Sequence, residues 1–227
     1  MPLPRFIMFD LDGTLIDTAG EITEAVNRTL AEARLSPLPL EQVSGWIGKG
    51  TAWLFGHALA AATGERSGHD SDLFEQYYPR FLALYAEVTG QLSSPYPGVP
   101  DALAALHRSG CQLGVVTNKE RSLTLQLLDR HGLRHQFDVL VAGGDTPRGK
   151  PSPEPLQLAL RHAGVAAGEA LFVGDSSNDV QASRHAGVTV WAFNHGYNHG
   201  EPIATAGPDA VIDSFEDLMA RLGVTRA

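Results

Sequence analysis

Asp10 and Asp12 stand two residues apart at the end of the run Phe6-Ile7-Met8-Phe9 and are followed by Gly13-Thr14-Leu15. A short apolar run cut off by acid and then glycine predicts a buried strand that delivers two carboxylates into a turn. Strand side chains alternate faces, so Asp10 and Asp12 share a side while Leu11 packs away from them. Like charges that close repel, and a neutralising cation or a shared proton turns such a pair toward chemistry. Taken alone, the pair fits an Asp-Gly turn with solvated acids equally well. Other apolar runs, however, also end in reactive side chains. Val115-Val116 runs into Thr117-Asn118, Leu171-Phe172-Val173 into Gly174-Asp175, and Lys150 lies in the loop after Val139–Val141.

The elements that must carry these residues follow from periodicity. Between Asp17 and about Leu92 the spacing predicts helices over Glu21–Arg34, Leu40–Ile47, Thr51–Ala62 and Leu73–Val88, and no convincing strand. From Pro95 onward strands and helices alternate strictly. The predicted strands are Gln112–Val116, Phe137–Val141, Ala170–Val173, Val188–Phe193 and Ala210–Ile212. The predicted helices are Val99–His107, Arg121–His131, Glu154–Ala163, Asn178–Ala186 and Phe215–Leu222. Alternation with short connections predicts an α/β fold, a Rossmann-like doubly wound parallel sheet covered on both faces. The helical stretch is then a small all-helical insertion after the first strand, giving a core of residues 1–16 and 93–227 and an insert of 17–92. Ligands in open sheets of this kind sit beyond the carboxyl ends of the strands, so Asp10, Asp12, Thr117, Lys150 and Asp175 converge on one edge.

Length and composition are those of a soluble globular chain: 227 residues, 43% hydrophobic and 19% charged. No early segment has the form of a membrane span or signal peptide, which makes the cytoplasm the expected compartment. The net charge of −9 argues against nucleic acid or an anionic membrane as partner. An acidic protein handling an anionic substrate must gather positive charge locally, yet Lys49, Lys119 and Lys150 are the only lysines. Cys111 excludes an internal disulfide and reads as a packed strand edge.

The ordered set Asp10-Leu11-Asp12-Gly13-Thr14, Thr117-Asn118, Lys150 and Gly174-Asp175-Ser176-Ser177-Asn178-Asp179 resembles the four motifs of the haloacid dehalogenase superfamily. Trp46-Ile47-Gly48-Lys49-Gly50, Gly144-Asp145 and the loop Gly196–Glu201 resemble its phosphoglycolate phosphatase branch. The resemblance implies a phosphomonoesterase with the helical insert as a cap over the site. Asp10 is then the nucleophile that forms an aspartyl-phosphate, and Asp12 the acid and base. Asp10, Asp175 and the backbone carbonyl of Asp12 would bind Mg²⁺. Thr117, with backbone N–H groups near Leu11 and Asn118, would bind phosphoryl oxygens, and Lys150 would place a positive charge between phosphate and Asp10. The expected partner is a small phosphorylated metabolite, with the chain acting as a monomer or homodimer.

Several residues carry two readings. Asp179 caps the following helix or supports the metal from behind. Lys49, between two glycines, either reaches the distal carboxylate of a substrate such as 2-phosphoglycolate or lies exposed in a turn. Lys119 is expected to face solvent. His195 and His199 are expected to be loop residues rather than a metal pair. Alternatives to a phosphoglycolate phosphatase are a hydrolase of another small phosphoester or sugar phosphate and a phosphosugar mutase. A phosphonate hydrolase using Lys49 as a Schiff base is disfavoured by Asp12, and a dehalogenase by the metal-binding carboxylates. A non-catalytic binding module would be free to lose Asp10 or Lys150, and both are present.

Overall fold

In the computed structural model, which describes residues 2–65, 68–69 and 71–225, eight strands β1–β8 follow in chain order. Six of them form one sheet: β1 (Phe6–Phe9), β4 (Gln112–Glu120), β5 (Val139–Gly143), β6 (Ala170–Gly174), β7 (Thr189–Phe193) and β8 (Ala210–Ile212). Their spatial order is β5-β4-β1-β6-β7-β8, and every pairing is parallel. In the central strand, Phe9 lies beside Val115 of β4 and Val173 of β6. That register brings the residues after Phe9, Val115 and Val173 to the same edge.

Both faces of β1 are buried, which is why its sequence is continuously apolar rather than alternating. Ile7 and Phe9 pack with Leu103 and Leu106 of α5 (Val99–Arg108) and with Leu218 of α9 (Phe215–Leu222). Phe6 and Met8 pack with Leu156 of α7 (Glu154–Ala163) and Val180 of α8 (Ser177–Ala186). The parallel sheet with helices on both faces agrees with the expectation from strand-helix alternation.

The helical stretch holds α1 (Ala19–Glu32), α2 (Leu40–Ser44), α3 (Thr51–Thr63) and α4 (Asp72–Val88). They share a third apolar cluster that includes Val26, Phe55 and Phe81, joined by Leu123 of α6 (Arg121–Arg130). The Phe55 and Phe81 rings stack with centroids 4.8 Å apart. Where the chain enters and leaves this stretch, β2 (Ile16–Asp17) and β3 (Ser94–Pro95) pair antiparallel as a two-residue ribbon. The strand-free reading of 17–92 is therefore corrected at Asp17, which the ribbon claims by pairing with Ser94.

The most consequential boundary difference is in β4, which runs to Glu120 instead of ending at Val116. Glu120 pairs with Gly143 after an irregularity in the register. The segment Thr117–Lys119 thus stays extended, held between two paired positions. Cys111, just before β4, is buried, and its Sγ donates to the Pro4 carbonyl at 3.2 Å. Among the described residues no helix is long and apolar enough to cross a membrane.

Phe172, in the middle of β6, has no solvent-exposed surface and supports the sheet beneath the reactive edge. Truncation there leaves a cavity that parallel neighbours cannot close. Phe172→Ala is expected to cost about 3–5 kcal/mol, read as a lower midpoint in guanidinium unfolding with an unchanged slope.

Candidate active site

The strand register delivers Asp10, Lys150, Asp175 and Asp179 into one buried group. Asp10 is the first residue beyond β1, and its Oδ1 accepts from the Leu11 N–H at 2.7 Å and lies 2.9 Å from Lys150 Nζ. Its Oδ2 has no hydrogen-bond partner among the described residues. Lys150 Nζ also donates to Asp179 Oδ1 at 2.7 Å, so one ammonium serves two carboxylates. Burial alone would pull the Lys150 pKa down, but the charges of Asp10 and Asp179 outweigh it and hold it above the ordinary value. The other oxygen of Asp179 accepts from the backbone N–H groups of Asp175 (3.1 Å) and Ser176 (3.0 Å) at the start of α8. Asp179 therefore caps its helix and anchors Lys150 with the same carboxylate.

Asp175 is fixed on both oxygens: Thr14 Oγ1 donates to Oδ1 at 2.5 Å and the Tyr197 N–H to Oδ2 at 2.6 Å. Gly13 makes the approach possible. Its φ of +84° suits glycine, and a Cβ there would lie 2.7 Å from the Tyr197 ring and against the Asp175 carboxylate. One oxygen from each of Asp10, Asp175 and Asp179 falls within 4.8 Å of the others, all three residues buried. Burial lifts Asp10 to about 6 against the pull of Lys150, with Asp179 adding to the rise. Burial, then Asp179 and Asp10, lift Asp175 well above the carboxylate range. Crowded hard oxygens with raised proton affinity suit a divalent cation, which would relieve the repulsion that now favours protons.

Asp12 is not a member of that triad. Its Oδ1 accepts from Thr18 Oγ1 at 2.8 Å and from Lys119 Nζ at 2.9 Å, and its Oδ2 has no partner among the described residues. Asp10 and Asp12 line one cavity while Leu11 packs in the core, as expected. The turn after Phe9 produces this arrangement, rather than strand alternation, because β1 ends before either acid.

The expectation that Lys119 faces solvent is corrected here. Lys119 is 3% exposed, ion-paired to Asp12, and hydrogen-bonded to the Tyr85 hydroxyl. The cause is the extra length of β4: Thr117 and Lys119 are two apart on extended chain and face the same cavity. The signal was present in the scarcity of lysine and in the i, i+2 spacing from Thr117, but it needed β4 to continue past Val116.

Asn118 works through its side chain. Its Nδ2 donates to the carbonyls of Gly48 (2.9 Å) and Lys150 (2.8 Å), and its Oδ1 accepts from the Lys150 N–H at 2.8 Å. It thereby ties the helical segment to the loop that presents Lys150. Lys49 is exposed, with its Nζ 4.7 Å above the Trp53 ring, on the wall of a neighbouring cleft of about 460 Å³. The cavity that Asp10 and Asp12 line is smaller, about 30 Å³, and is closed over by Ile47, Gly48, Thr51 and Leu54. Asp145 braces its loop through Arg121 Nε (2.8 Å) and the Ala142 N–H (2.8 Å). The His195 ring packs between Tyr96 and Phe193, and the His199 Nδ1–H donates to the Gly45 carbonyl at 2.8 Å.

The family model described as Haloacid dehalogenase-like hydrolase matches residues 7–193. The chain belongs to that family. It is 41% identical over 217 residues to Phosphoglycolate phosphatase 1 of Pseudomonas aeruginosa, covering 96% of this chain and 79% of that protein. It is 39% identical to a phosphoglycolate phosphatase of Aliivibrio fischeri, over 98% of each. Among solved structures, a predicted phosphoglycolate phosphatase from Haemophilus somnus superposes with a TM-score of 0.92 at 33% identity, covering 97% of this chain and 99% of that one. This member of the haloacid dehalogenase-like hydrolases is a phosphoric monoester hydrolase, and its buried aspartate triad accords with the divalent metal that such phosphatases use.

The raised acids set a pH dependence with a definite sign. Asp10 (about 6) and Asp175 hold protons in the folded, metal-free chain that the unfolded chain releases near 4. Their stabilising contribution is full at low pH and is lost as pH rises through about 6. A cation needs the deprotonated acids, so its effect runs the other way. Millimolar Mg²⁺ is expected to raise the melting temperature by about 5–10 °C at pH 7.5 and far less at pH 5, with Asp175→Asn losing the shift. Equal shifts at both pH values would place the cation elsewhere.

Proposed function

We propose that this hydrolase converts 2-phosphoglycolate to glycolate and phosphate through an aspartyl-phosphate, with residues 17–92 as a cap over the core of 1–16 and 93–227. The observation that carries the reading is the cavity between cap and core. At about 30 Å³ it holds one or two waters, and its cap-side wall is mostly apolar, Ile22, Ile47, Leu54 and Phe81 standing beside Thr51 and Tyr85. Such a space favours a phosphate bearing a very short tail over one bearing a sugar ring. The likeness over nearly the whole chain to proteins named phosphoglycolate phosphatase supports the same choice.

In the proposed mechanism the unpartnered Oδ2 of Asp10 attacks phosphorus in line with the ester oxygen, forming an aspartyl-phosphate as the P–O ester bond breaks. Asp12, through its own unpartnered Oδ2, gives a proton to the departing alkoxide of glycolate. It then takes a proton from the water that attacks phosphorus, and Asp10 leaves as a carboxylate. Thr117 donates to a phosphoryl oxygen, with the Asn118 N–H as a further donor and the Leu11 N–H as another once it leaves Asp10 Oδ1, while Lys150 steadies the charge on Asp10 and phosphate. Asp179 holds Lys150 in place. Mg²⁺, carried by Asp10, Asp175 and the Asp12 backbone carbonyl, would neutralise phosphoryl oxygens when bound. The setting is cytoplasmic, the enzyme a monomer or homodimer, and the net charge of −9 speaks against nucleic acid or an anionic membrane as partner.

One observation favours a second reading. The 460 Å³ cleft beside the cavity shares Thr117 and Asn118 with it and adds Lys49 and Lys150. A sugar phosphate extending into that cleft would make the enzyme a sugar-phosphate hydrolase or a mutase. Phosphate release with Mg²⁺ across phosphoglycolate, sugar phosphates, nucleotides and pyrophosphate separates these. Phosphoglycolate is expected to rank among the best by kcat/KM, whereas isomerised sugar phosphate with little free phosphate would establish a mutase.

The division of labour between the two acids is separable by leaving group. Asp10→Asn is expected to abolish phosphoenzyme formation, seen by acid quench with labelled substrate. Asp12→Asn is expected to slow alkyl phosphates by about 10²–10⁴ and p-nitrophenyl phosphate far less. Equal losses on the two esters would remove Asp12 from proton transfer.

A further inference from the structure

The cavity between cap and core is lined by a buried lysine and a buried tyrosine whose hydrogen-bonding capacity is not filled. Among the described residues that line it, Lys119 is the one cation, and Asp10 and Asp12 are the acids. An ammonium has three N–H donors. Lys119 Nζ spends one on Asp12 Oδ1 at 2.9 Å and one on the Tyr85 hydroxyl oxygen, and no third acceptor is present among the described residues. Tyr85 lines the same cavity, is 1% exposed, and has no acceptor for its own proton among the described residues. Burial, together with the charges of Asp12 and Glu21, keeps that phenol protonated far above neutrality, so it remains a donor. Glu21, the other buried acid beside them, turns one oxygen to the Gly90 N–H at 2.6 Å.

Two unspent donors, one of them charged, thus meet in this small cavity next to the acid that serves the leaving oxygen. In phosphoglycolate the carboxylate sits one carbon beyond that oxygen. A group hydrogen-bonded to Asp12 at 2.9 Å is therefore within reach of a carboxylate attached that closely. Lys49 is placed otherwise, exposed over Trp53 on the neighbouring cleft.

We propose that Lys119 and Tyr85 form the subsite that receives the carboxylate of the substrate, making Lys119 the cation that selects a carboxylated phosphoester. This rests on the reading that phosphoglycolate is the substrate. The carboxylate takes one oxygen to the free N–H of Lys119 and the other to the Tyr85 O–H, while Asp12 keeps its Oδ2 for the ester oxygen. A tail without negative charge leaves both donors buried and unsatisfied, which penalises neutral phosphoesters.

The test compares two non-hydrolysable phosphonates by calorimetry in the presence of Mg²⁺: 3-phosphonopropionate, which carries the carboxylate, and propylphosphonate, which does not. The wild-type chain is expected to favour the first by about 30-fold, equivalent to about 2 kcal/mol. Lys119→Met is expected to reduce that preference to within about threefold, Tyr85→Phe to reduce it in part, and Lys49→Met to retain it. In parallel, the ratio of kcat/KM for phosphoglycolate to that for ethyl phosphate should fall by a similar factor in Lys119→Met. That ratio does not depend on the fraction of chains that fold. If Lys119 only holds Asp12, both esters lose activity equally, the ratio stays at its wild-type value and the proposal is overturned. Loss of preference in Lys49→Met, a surface change that leaves the buried site intact, overturns it as well. Absence of any carboxylate preference in the wild-type chain would instead defeat the phosphoglycolate reading itself, and this subsite with it.

Discussion

One buried ammonium makes the reactive edge of this sheet possible. Asp10, Asp175 and Asp179 are almost inaccessible to water, and uncompensated carboxylates in that position would cost several kcal/mol each. Lys150 Nζ lies within 3 Å of two of them. Its own position is set by backbone, because Asn118 grips both the N–H and the carbonyl of Lys150. Asn118 in turn stands where β4 places it, beside the central strand. The sheet register, the Asn118 clamp and the shared ammonium therefore form one chain of causes that ends at Asp10.

The same arithmetic explains how an acidic protein can attract an anionic ester. Two of its three lysines are withdrawn from the surface and set on either side of the Asp10-Leu11-Asp12 turn, Lys150 against Asp10 and Lys119 against Asp12. Among the described residues no arginine lines the cavity; Arg80, Arg148 and Arg221 pair with acids on exposed faces, where such pairs contribute little. Charge is thus concentrated by burial rather than by number. Low polarity around each lysine strengthens its attraction for the nearest carboxylate, and it leaves any unspent N–H donor with a strong need for an acceptor.

Much of this was legible in the residues. The parallel sheet followed from strand-helix alternation, and the convergence of Asp10, Thr117, Lys150 and Asp175 followed from the rule that strand ends in such sheets share an edge. What the sequence could not carry was long-range pairing. The continuation of β4 through Lys119 depends on Glu120 meeting Gly143, a contact between residues far apart in the chain and invisible to any local period. The double use of Asp179 was half legible: its place three residues after Ser176 suggests a helix cap, but the bond to Lys150 requires two loops to meet. Lys49 was ambiguous for the same reason, since a glycine-flanked turn does not state which cleft it borders.

The entry to the helical segment is tightly joined to the site. Tyr197 donates its backbone N–H to Asp175, and its hydroxyl accepts from the N–H groups of Thr18 (2.9 Å) and Ala19 (3.0 Å) at the first turn of α1. The same hydroxyl donates to Asp17 Oδ1 at 2.5 Å, inside the β2–β3 ribbon. Thr18, between those contacts, sends its own hydroxyl to Asp12. The residue that leads into the helical segment therefore touches the acid in the cavity, and the loop that steadies Asp175 touches the same turn of chain. Any rotation of the helical segment about the ribbon must strain or break bonds to both Asp12 and Tyr197. The position of the helical segment and the geometry of the acids are consequently one variable, set by a tyrosine and a threonine that carry no charge themselves.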